Sequence, residues 1–222
     1  DDFDFDFGYT GKIQFAVSCR KPDFVDAGDA GNGIECDNDG TGTSATPKTK
    51  PQLSNFTFVG PNDAAGTAGN HNYSNRWRRA TQFIVRNSIL IGHPDAGFSL
   101  ESDATLNDYY VNNVSEFKNN LVHASTNVYR SSNNAIATAA QIQTKAESEG
   151  CITLANSAAA QLTSPFYSTN PNFLPVTGSP ALSGASFTGM NPFFTSTTYR
   201  GAMGTTNWTS GWCNWDPQNA VY

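Results

Sequence analysis

The most constraining feature of this chain is a strand-like phrase that recurs at an even spacing. Its three copies read LSNFTFVG, VRNSILIG and FKNNLVHA, and their asparagines, Asn55, Asn87 and Asn119, are 32 residues apart each time. A repeated strand with an asparagine at one fixed point is typical of a stacked β-solenoid, because one coil alone cannot bury its apolar face. The repeat therefore predicts an all-β solenoid in which the amides form a hydrogen-bonded ladder along the stack.

The composition and net charge of the chain argue against nucleic acid as a partner and against a transmembrane segment. The chain has 222 residues, enough for one well-buried core, and its formal net charge is −6. An acidic chain is unsuited to nucleic acid, whose phosphates require a basic surface, so no nucleic-acid partner is expected. The longest apolar run, 83–91, is interrupted by Arg86 and Asn87, so no transmembrane segment is expected.

The pattern along the chain predicts coils followed by a cap within one domain. Residues 1–169 are predicted to form the coils, and because they begin abruptly in strand-like sequence we expect further N-terminal coils and a membrane anchor to be missing. The alanine-rich segment 133–149 has Ile136 and Ile142 at helical spacing, which predicts one short helical insertion.

Residues 170–222 are rich in proline, glycine and aromatic side chains and are predicted to form an irregular C-terminal capping segment over the last coil. Its tryptophans, Trp208, Trp212 and Trp215, are interpreted as a plug over the open end of the solenoid. The alternative is that they form an exposed carbohydrate platform.

Four segments carry a resemblance to a known family. They are DFDFGYTGKIQF at 4–15, ECDNDGTG at 35–42, NPNFLP with GSPAL within 170–182, and the aromatic ending YRGAMGT, NWT and WCNWDPQN within 199–219. Together they resemble the C-terminal half of a family of Bacteroidota secreted or surface-lipoprotein proteins. The resemblance implies a right-handed parallel β-helix located extracellularly or on the outer-membrane surface of a Gram-negative bacterium, and it implies no particular activity.

The four cysteines can be interpreted from strand alternation. Cys19 shares the parity of the apolar residues before it, and Cys36 shares that of Ile34, so both are expected to face the core of adjacent coils. This predicts a Cys19–Cys36 disulfide, with Cys151 and Cys213 as a second pair, because an even number of cysteines suits an oxidising location. The alternative is four free buried thiols.

Two acidic rows form the candidate metal site. Carboxylates alternate with phenylalanines in the first strand, and a second acidic strand repeats that parity, so both rows are expected to face outward. Stacked carboxylates repel one another unless they are hydrated, protonated or bridged, and calcium accepts six to eight oxygen ligands. The predicted ligands are Asp2, Asp4, Asp6, Glu35, Asp37 and Asp39. The alternative is a solvated acidic face.

A basic and aromatic run forms the candidate binding site. Arg76, Trp77, Arg78 and Arg79 could stack on sugars and pair with sulfate or carboxylate groups. The alternative is that Trp77 packs inward while the arginines are solvated or pair with the acidic surface. The three histidines are isolated in sequence, and no metal role is expected for them.

These patterns favour a non-catalytic, extracellular, outer-membrane-associated binding or structural module. It would present a β-helix face to a surface polysaccharide or to an outer-membrane protein partner. The alternative is a calcium-dependent polysaccharide lyase or glycosidase, in which calcium balances a uronate's charge and a basic residue abstracts a proton. The available bases are Arg20, Lys21, Arg78 and Arg79. A further alternative is a subunit of a larger surface assembly.

Overall fold

Two parallel β-sheets form the body of the protein. The computed structural model describes residues 1–26, 28 and 30–221. Sheet A contains, in spatial order, β1 (Phe3–Phe5), β3 (Ile34–Cys36), β5 (Asn75–Trp77), β8 (Ala96–Leu100) and β11 (Asn127–Ser131). Sheet B contains β2 (Lys12–Cys19), β4 (Gln52–Val59), β6 (Ile84–Arg86), β7 (Ile89–His93), β9 (Glu116–Lys118), β10 (Leu121–Ala124) and β12 (Ile152–Thr153). Each passage of the chain through both sheets is a coil, and neighbouring coils pair in parallel, as the repeat predicts.

The recurring asparagines mark a sharp bend in sheet B. Asn55, Asn87 and Asn119 have φ between 56° and 58°, and Phe15 occupies the same point of the first coil at φ 63°. Asparagine tolerates this left-handed conformation better than most residues with a side chain, which explains its recurrence. The bend separates β6 from β7 and β9 from β10.

A hydrogen-bonded ladder does run along the stack, but it lies at the position that follows each of the three predicted asparagines. The Phe56 N–H donates to Ser88 Oγ at 3.1 Å, the Ser88 N–H donates to Asn120 Oδ1 at 2.8 Å, and the Asn120 N–H donates to Cys151 Sγ at 3.4 Å. Each buried polar side chain thus satisfies a backbone donor of the preceding coil. The prediction of a ladder of asparagine amides at 55, 87 and 119 was therefore displaced by one position.

The core between the sheets is aromatic. Trp77 and Phe83 stack with ring centroids 4.4 Å apart, and Phe98 and Phe117 stack at 3.9 Å. These four side chains are fully buried. Buried rings of this size contribute much of the apolar area that holds the coils together.

A helix, and not the aromatic C-terminus, closes the end of this core. Helix α2 (Ala139–Ser148) begins at a capping box made by Thr138 and Gln141 and lies within the segment predicted as helical. It packs against β11 and β12, which are the last strands of sheet A and sheet B at the C-terminal end of the stack. It buries Ile142 and Ala146 in the core. A further short helix, α1 (Asp103–Leu106), continues as a π-helical turn (Asn107–Val111) and was not predicted.

The C-terminal segment covers the outer face of sheet B, which corrects the expectation of a plug over the last coil. Outward residues of sheet B, including Val59, Ile89 and Leu121, pack against Phe173 and Met203 of that segment. The physical reason is that an apolar outward face must be shielded from water.

Backbone contacts fix this cover to the bend. The Gly201 N–H donates to Asn87 O at 2.7 Å, and the Asn87 side chain bonds the backbone of Ser186 through both amide atoms. The segment reaches the first coil through Gln14 and Thr195. The segment contains β14 (Asn172–Pro175) and 3-10 turns at Pro180–Leu182 and Pro217–Asn219. Just before it lie a 3-10 turn at Ser157–Ala160 and β13 (Leu162–Ser164), which pairs antiparallel with β14.

Both predicted disulfides are absent, since all four cysteines within the described residues are free. Cys19 belongs to the outer apolar cluster of sheet B, with its Sγ 3.6 Å from Pro165 O, whereas Cys36 faces the core 3.1 Å from Thr81 Oγ1. The bend at Phe15 resets the alternation of β2, so the parity that placed Cys19 inward does not hold.

The second pair is separated in the same way. Cys151 is a buried member of the internal ladder, while Cys213 is half-buried in the C-terminal segment. Burial raises the pKa of Cys151 to about 12, so its thiol stays protonated at neutral pH. In the part of the chain that is described, no helix is both long and apolar enough to cross a membrane.

Candidate functional site

Outward side chains of sheet A form charged columns that run from coil to coil. The strand register aligns Asp4 with Glu35, Glu35 with Arg76, Arg76 with Ser99, and Ser99 with Arg130. Parallel strands lie about 4.8 Å apart, so neighbours in a column can contact one another. We call this surface the sheet A face.

A second column follows two residues later in each strand. The Asp37 N–H donates to Phe5 O, the Arg78 N–H to Cys36 O and the Glu101 N–H to Trp77 O, which extends the same ladder. Acidic side chains from the first two coils therefore meet basic side chains from the third. The two acidic rows do stack, as their parity suggests, but arginines lie beside them.

The arginines and carboxylates pair closely. Arg76 Nη1 lies 3.1 Å from Glu35 Oε1, and Arg78 donates to the other oxygen of Glu35. Asp37 accepts from Arg78 Nε at 2.8 Å and from Arg79 Nη1 at 2.7 Å. Glu35 and Asp37 are almost fully buried beneath these guanidinium groups, so their charges depend on the arginines for compensation.

Glu101 extends the network to the last coils. Arg76 donates to it through Nε at 3.1 Å and Nη2 at 3.0 Å, in the two-point geometry typical of arginine and carboxylate, and Arg130 also pairs with it. Burial alone would raise the pKa of Glu101, but the hydrogen bonds and charges of Arg76 and Arg130 outweigh it and lower the pKa. Glu101 is therefore ionised at neutral pH.

An aromatic ring lies beneath two of these arginines. The guanidinium carbons of Arg76 and Arg130 lie 5.2 Å and 5.4 Å from the centre of the Tyr73 ring, within the range of a cation–π contact. Tyr73 itself is 7% exposed, so it orients the arginines more than it offers a surface.

Trp77 is not part of the face, which corrects its place among the candidate binding residues. Its side chain points into the core, fully buried, and its Nε1–H donates to Asn75 Oδ1 at 2.8 Å. Strand alternation explains this placement, because Arg76 and Arg78 on either side of it point outward. Trp77 cannot stack on a sugar from this position.

The six predicted calcium ligands do not converge. Both oxygens of Glu35 and of Asp37 are taken by arginines, Asp2 pairs with Arg20 at 3.0 Å, and Asp39 binds backbone N–H groups of its own loop. Among the described residues, no group of three or more acidic, histidine or cysteine side chains is arranged to hold a metal ion. The donor set therefore does not fit calcium, because guanidinium groups occupy the space between the carboxylates.

The two remaining acids lie at the edge of the sheet. Asp4 is exposed and Asp6 half-buried. Burial, followed by the neighbouring charges of Asp4 and Asp37, raises the pKa of Asp6. The hydrogen bond from the Asp37 N–H and the charge of Arg78 oppose this rise in pKa without cancelling it.

The four candidate bases are also engaged as cations. Arg20 pairs with Asp2, Lys21 lies 3.1 Å from Asp23, and Arg78 and Arg79 pair with Asp37. A cationic side chain whose N–H groups are already bonded to a carboxylate is poorly suited to abstract a proton.

Sequence reasoning missed three residues of the face, namely Ser99, Glu101 and Arg130. Their coils lack the acidic and basic runs that drew attention to the earlier strands. The repeat could nevertheless have indicated them. Because each 32-residue coil contributes a strand to sheet B, each is also expected to contribute a strand to a second sheet.

The family comparison agrees with this architecture. A family model described as a pectate-lyase-like β-helix domain matches residues 1–212. The chain belongs to this β-helix family. No curated protein and no solved structure matched the chain. Membership agrees with the parallel, all-β architecture that the repeat predicts. The family by itself specifies neither a ligand nor a reaction.

Proposed function

We propose that this β-helix domain is a non-catalytic, extracellular module that binds a neutral polysaccharide along the sheet A face. The observation that supports the proposal is the network of paired guanidinium and carboxylate groups on that face. In a lyase, acidic ligands hold calcium and a basic residue abstracts a proton. Here the two kinds of residue satisfy one another instead, which favours binding over catalysis.

The charge balance of the face favours a neutral ligand. Five carboxylates, those of Asp4, Asp6, Glu35, Asp37 and Glu101, face four guanidinium groups, those of Arg76, Arg78, Arg79 and Arg130. A surface so nearly neutral gives little attraction to a polyanion. It does present fixed donors and acceptors side by side, which matches sugar hydroxyls because each hydroxyl can both donate and accept.

Two arginines are placed to make the contacts. The side chains of Arg79 and Arg130 are 42% and 36% exposed, whereas that of Arg78 is 17% exposed. The exposed pair belong to different coils, so a ligand that touches both extends along the stack. An extended polysaccharide meets that requirement better than a small molecule.

The cellular setting of the proposal follows the sequence resemblance. We place the module on the outer-membrane surface of a Gram-negative bacterium of the Bacteroidota, attached as a lipoprotein or through an outer-membrane protein partner. We also take the coil as right-handed, the hand that parallel crossover connections almost always have.

The test is affinity electrophoresis through gels that contain neutral or uronate-rich polysaccharides, with and without calcium. We expect retardation by a neutral polysaccharide, independent of calcium, and loss of most of that retardation in Arg79→Ala and Arg130→Ala. Lys21→Ala removes a comparable exposed cation away from the face and should bind like the wild type. Calcium-dependent cleavage of a uronate polysaccharide would overturn the proposal in favour of the lyase.

A further inference from the structure

A second concave site lies at the loops that follow the strands of sheet B. It is a cleft of about 490 Å³, within the roughly 300–1,000 Å³ range of small-molecule sites. The loop after β4 contributes Asn62 and Asp63, strand β10 and the turn after it contribute His123 and Ser125, and the loop after β12 contributes Asn156. Stacking of the coils brings these separate loops together.

The loop that carries the acidic group has an unusual backbone. Asn62 and Asp63 are consecutive left-handed residues, with φ 56° and 55°. The Asn62 N–H donates to Gly92 O at 2.8 Å, which ties the loop to the next coil. Left-handed residues other than glycine are retained where surrounding structure holds them, and they are frequent in binding sites.

Two internal hydrogen bonds orient the walls. Ser125 Oγ donates to Asp63 Oδ2 at 2.6 Å, and Ser157 Oγ lies 2.9 Å from His123 Nδ1. Burial lowers the pKa of His123, although the nearby Asp63 charge opposes the shift, so the imidazole is neutral at neutral pH. In this pair the Ser157 hydroxyl donates when the imidazole proton is on Nε2 and accepts when that proton is on Nδ1.

These bonds leave complementary groups free to bind a ligand. Among the described residues, no hydrogen bond engages Asp63 Oδ1, His123 Nε2, the side-chain amide of Asn62 or Asn156 Nδ2. The half-buried Phe166 ring forms an apolar part of the wall. The cleft thus combines an acceptor, several donors and an aromatic ring within one small volume.

We propose that this cleft binds one neutral sugar residue that has two adjacent free hydroxyls. Asp63 Oδ1 accepts from one hydroxyl while the Asn62 or Asn156 amide donates to its neighbour, and the Phe166 ring contacts the apolar face of the sugar. The single carboxylate argues against hydrolysis of a glycosidic bond, which requires a pair. The site does not share residues with the sheet A face and stands independently of the function proposed there.

The test is ligand-observed NMR and calorimetry with methyl glycosides of neutral hexoses and their deoxy derivatives. We expect binding of glycosides with adjacent hydroxyls, weakened at least tenfold in the deoxy derivatives and in Asp63→Asn. Asn62→Gly removes the amide while retaining a left-handed backbone, and should weaken binding several-fold without unfolding the loop. Asp23→Asn, a change at an exposed carboxylate outside the cleft, should bind like the wild type.

Three outcomes decide the proposal. Absence of binding by the folded wild type to every glycoside in the panel overturns it, as does equal binding of the deoxy derivatives. Hydrolysis of an ester substrate that is lost in Ser157→Ala would also overturn it, because the Ser157–His123 pair would then be catalytic. Affinity electrophoresis of the wild type through polysaccharide gels reports on the sheet A face, whereas the loss of glycoside binding in Asp63→Asn reports on the cleft, so failure at one site is distinguishable from failure at the other.

Discussion

The outer faces of sheets A and B are made by the same stacked coils, but one remains open and the other is covered. Outward positions of sheet A are occupied by Ser99 and by Asp, Glu and Arg residues, and the charged side chains among them pair between coils. Beyond the asparagine bend, outward positions of sheet B such as Val59, Ile89 and Leu121 are apolar and lie beneath the C-terminal segment. Solvent can satisfy the first kind of face, whereas the second requires protein to cover it.

This difference shows how one architecture separates stability from recognition. The covered face adds a second apolar cluster to the main core. The open face keeps its polar groups in fixed positions because their partners are one strand away. We therefore expect substitutions beneath the cover to reduce stability, and substitutions of exposed arginines to reduce binding with little loss of stability.

The largest expected effect comes from the covered face. Ile89→Ala should lower the free energy of unfolding by about 2–5 kcal/mol, because it removes a fully buried side chain and leaves a cavity. Ile152 aligns with Leu121 in the same column but is 39% exposed, so Ile152→Ala should cost clearly less. Urea unfolding of both variants makes the comparison, and equal losses would contradict the assigned cover.

Breaking the charged network should have the next largest effect. Glu35→Gln retains the shape of the side chain but removes the charge that compensates Arg76 and Arg78. We expect it to lower the free energy of unfolding by about 2–3 kcal/mol, which is less than for a fully buried ion pair because solvent reaches the arginines. Asp4→Asn, one strand away in the same column, should leave the urea midpoint unchanged because Asp4 is exposed. A destabilised Asp4→Asn with an unaffected Glu35→Gln would refute the assigned pairing.

Acid should weaken the corner that joins the two sheets. Burial, followed by the charges of Arg20 and His71, lowers the pKa of the fully buried His93 from 6.5 to about 3. Between about pH 3 and pH 6.5, His93 therefore binds a proton in the unfolded chain but not in the folded chain. The free energy of unfolding consequently falls as the pH drops below 6.5, and His93 contributes no pH dependence above that value. At pH 5 this term is about 2 kcal/mol.

The measurement is urea unfolding of the wild type and His93→Gln at pH 7.5 and pH 5. The wild type should lose more stability between the two pH values, since the variant lacks the titrating group. The cost of the substitution itself cancels in this difference. The same pH dependence in both proteins would show that His93 does not titrate as assigned.

The smallest expected effect is a gain at the bend of sheet B. Phe15 has φ 63° where the next three coils have asparagine. Phe15→Asn should raise the free energy of unfolding by up to about 1 kcal/mol, because a left-handed conformation is less costly for asparagine than for other residues with a side chain. Thermal unfolding checks the sign, with Phe15→Ala as a control that should not stabilise.

Much of the fold was predictable from local pattern. The 32-residue repeat predicted parallel stacked strands, the Ala-rich segment marked the position of α2, and the alternation in the first strand placed Asp4 outward and Phe5 inward. These inferences held because they depend on backbone period and on neighbours within one element. The candidate site was predictable only in its residue types: the acidic and basic residues were identified, but not that they pair.

The predictions that were wrong share one cause. They concerned contacts between coils, and such contacts depend on how the coils stack. Arg76 and Glu35 are 41 residues apart, and only the strand register reveals that they are neighbours. The bend at Phe15 reversed the expected direction of Cys19, and it removed the basis for a disulfide with Cys36. His123 and Ser157 were likewise unremarkable until the loops of successive coils met in the cleft.

The amino-acid sequence by itself thus determined the repeat, the parallel stack, the asparagine bend and the charge of the exposed strands, because each depends on local conformational preference or composition. The tertiary structure alone decided which carboxylate meets which arginine, which face the C-terminal segment covers and which loops enclose a cleft. Those features depend on distances across the stack, and such distances arise only when every coil has taken its place beside the next.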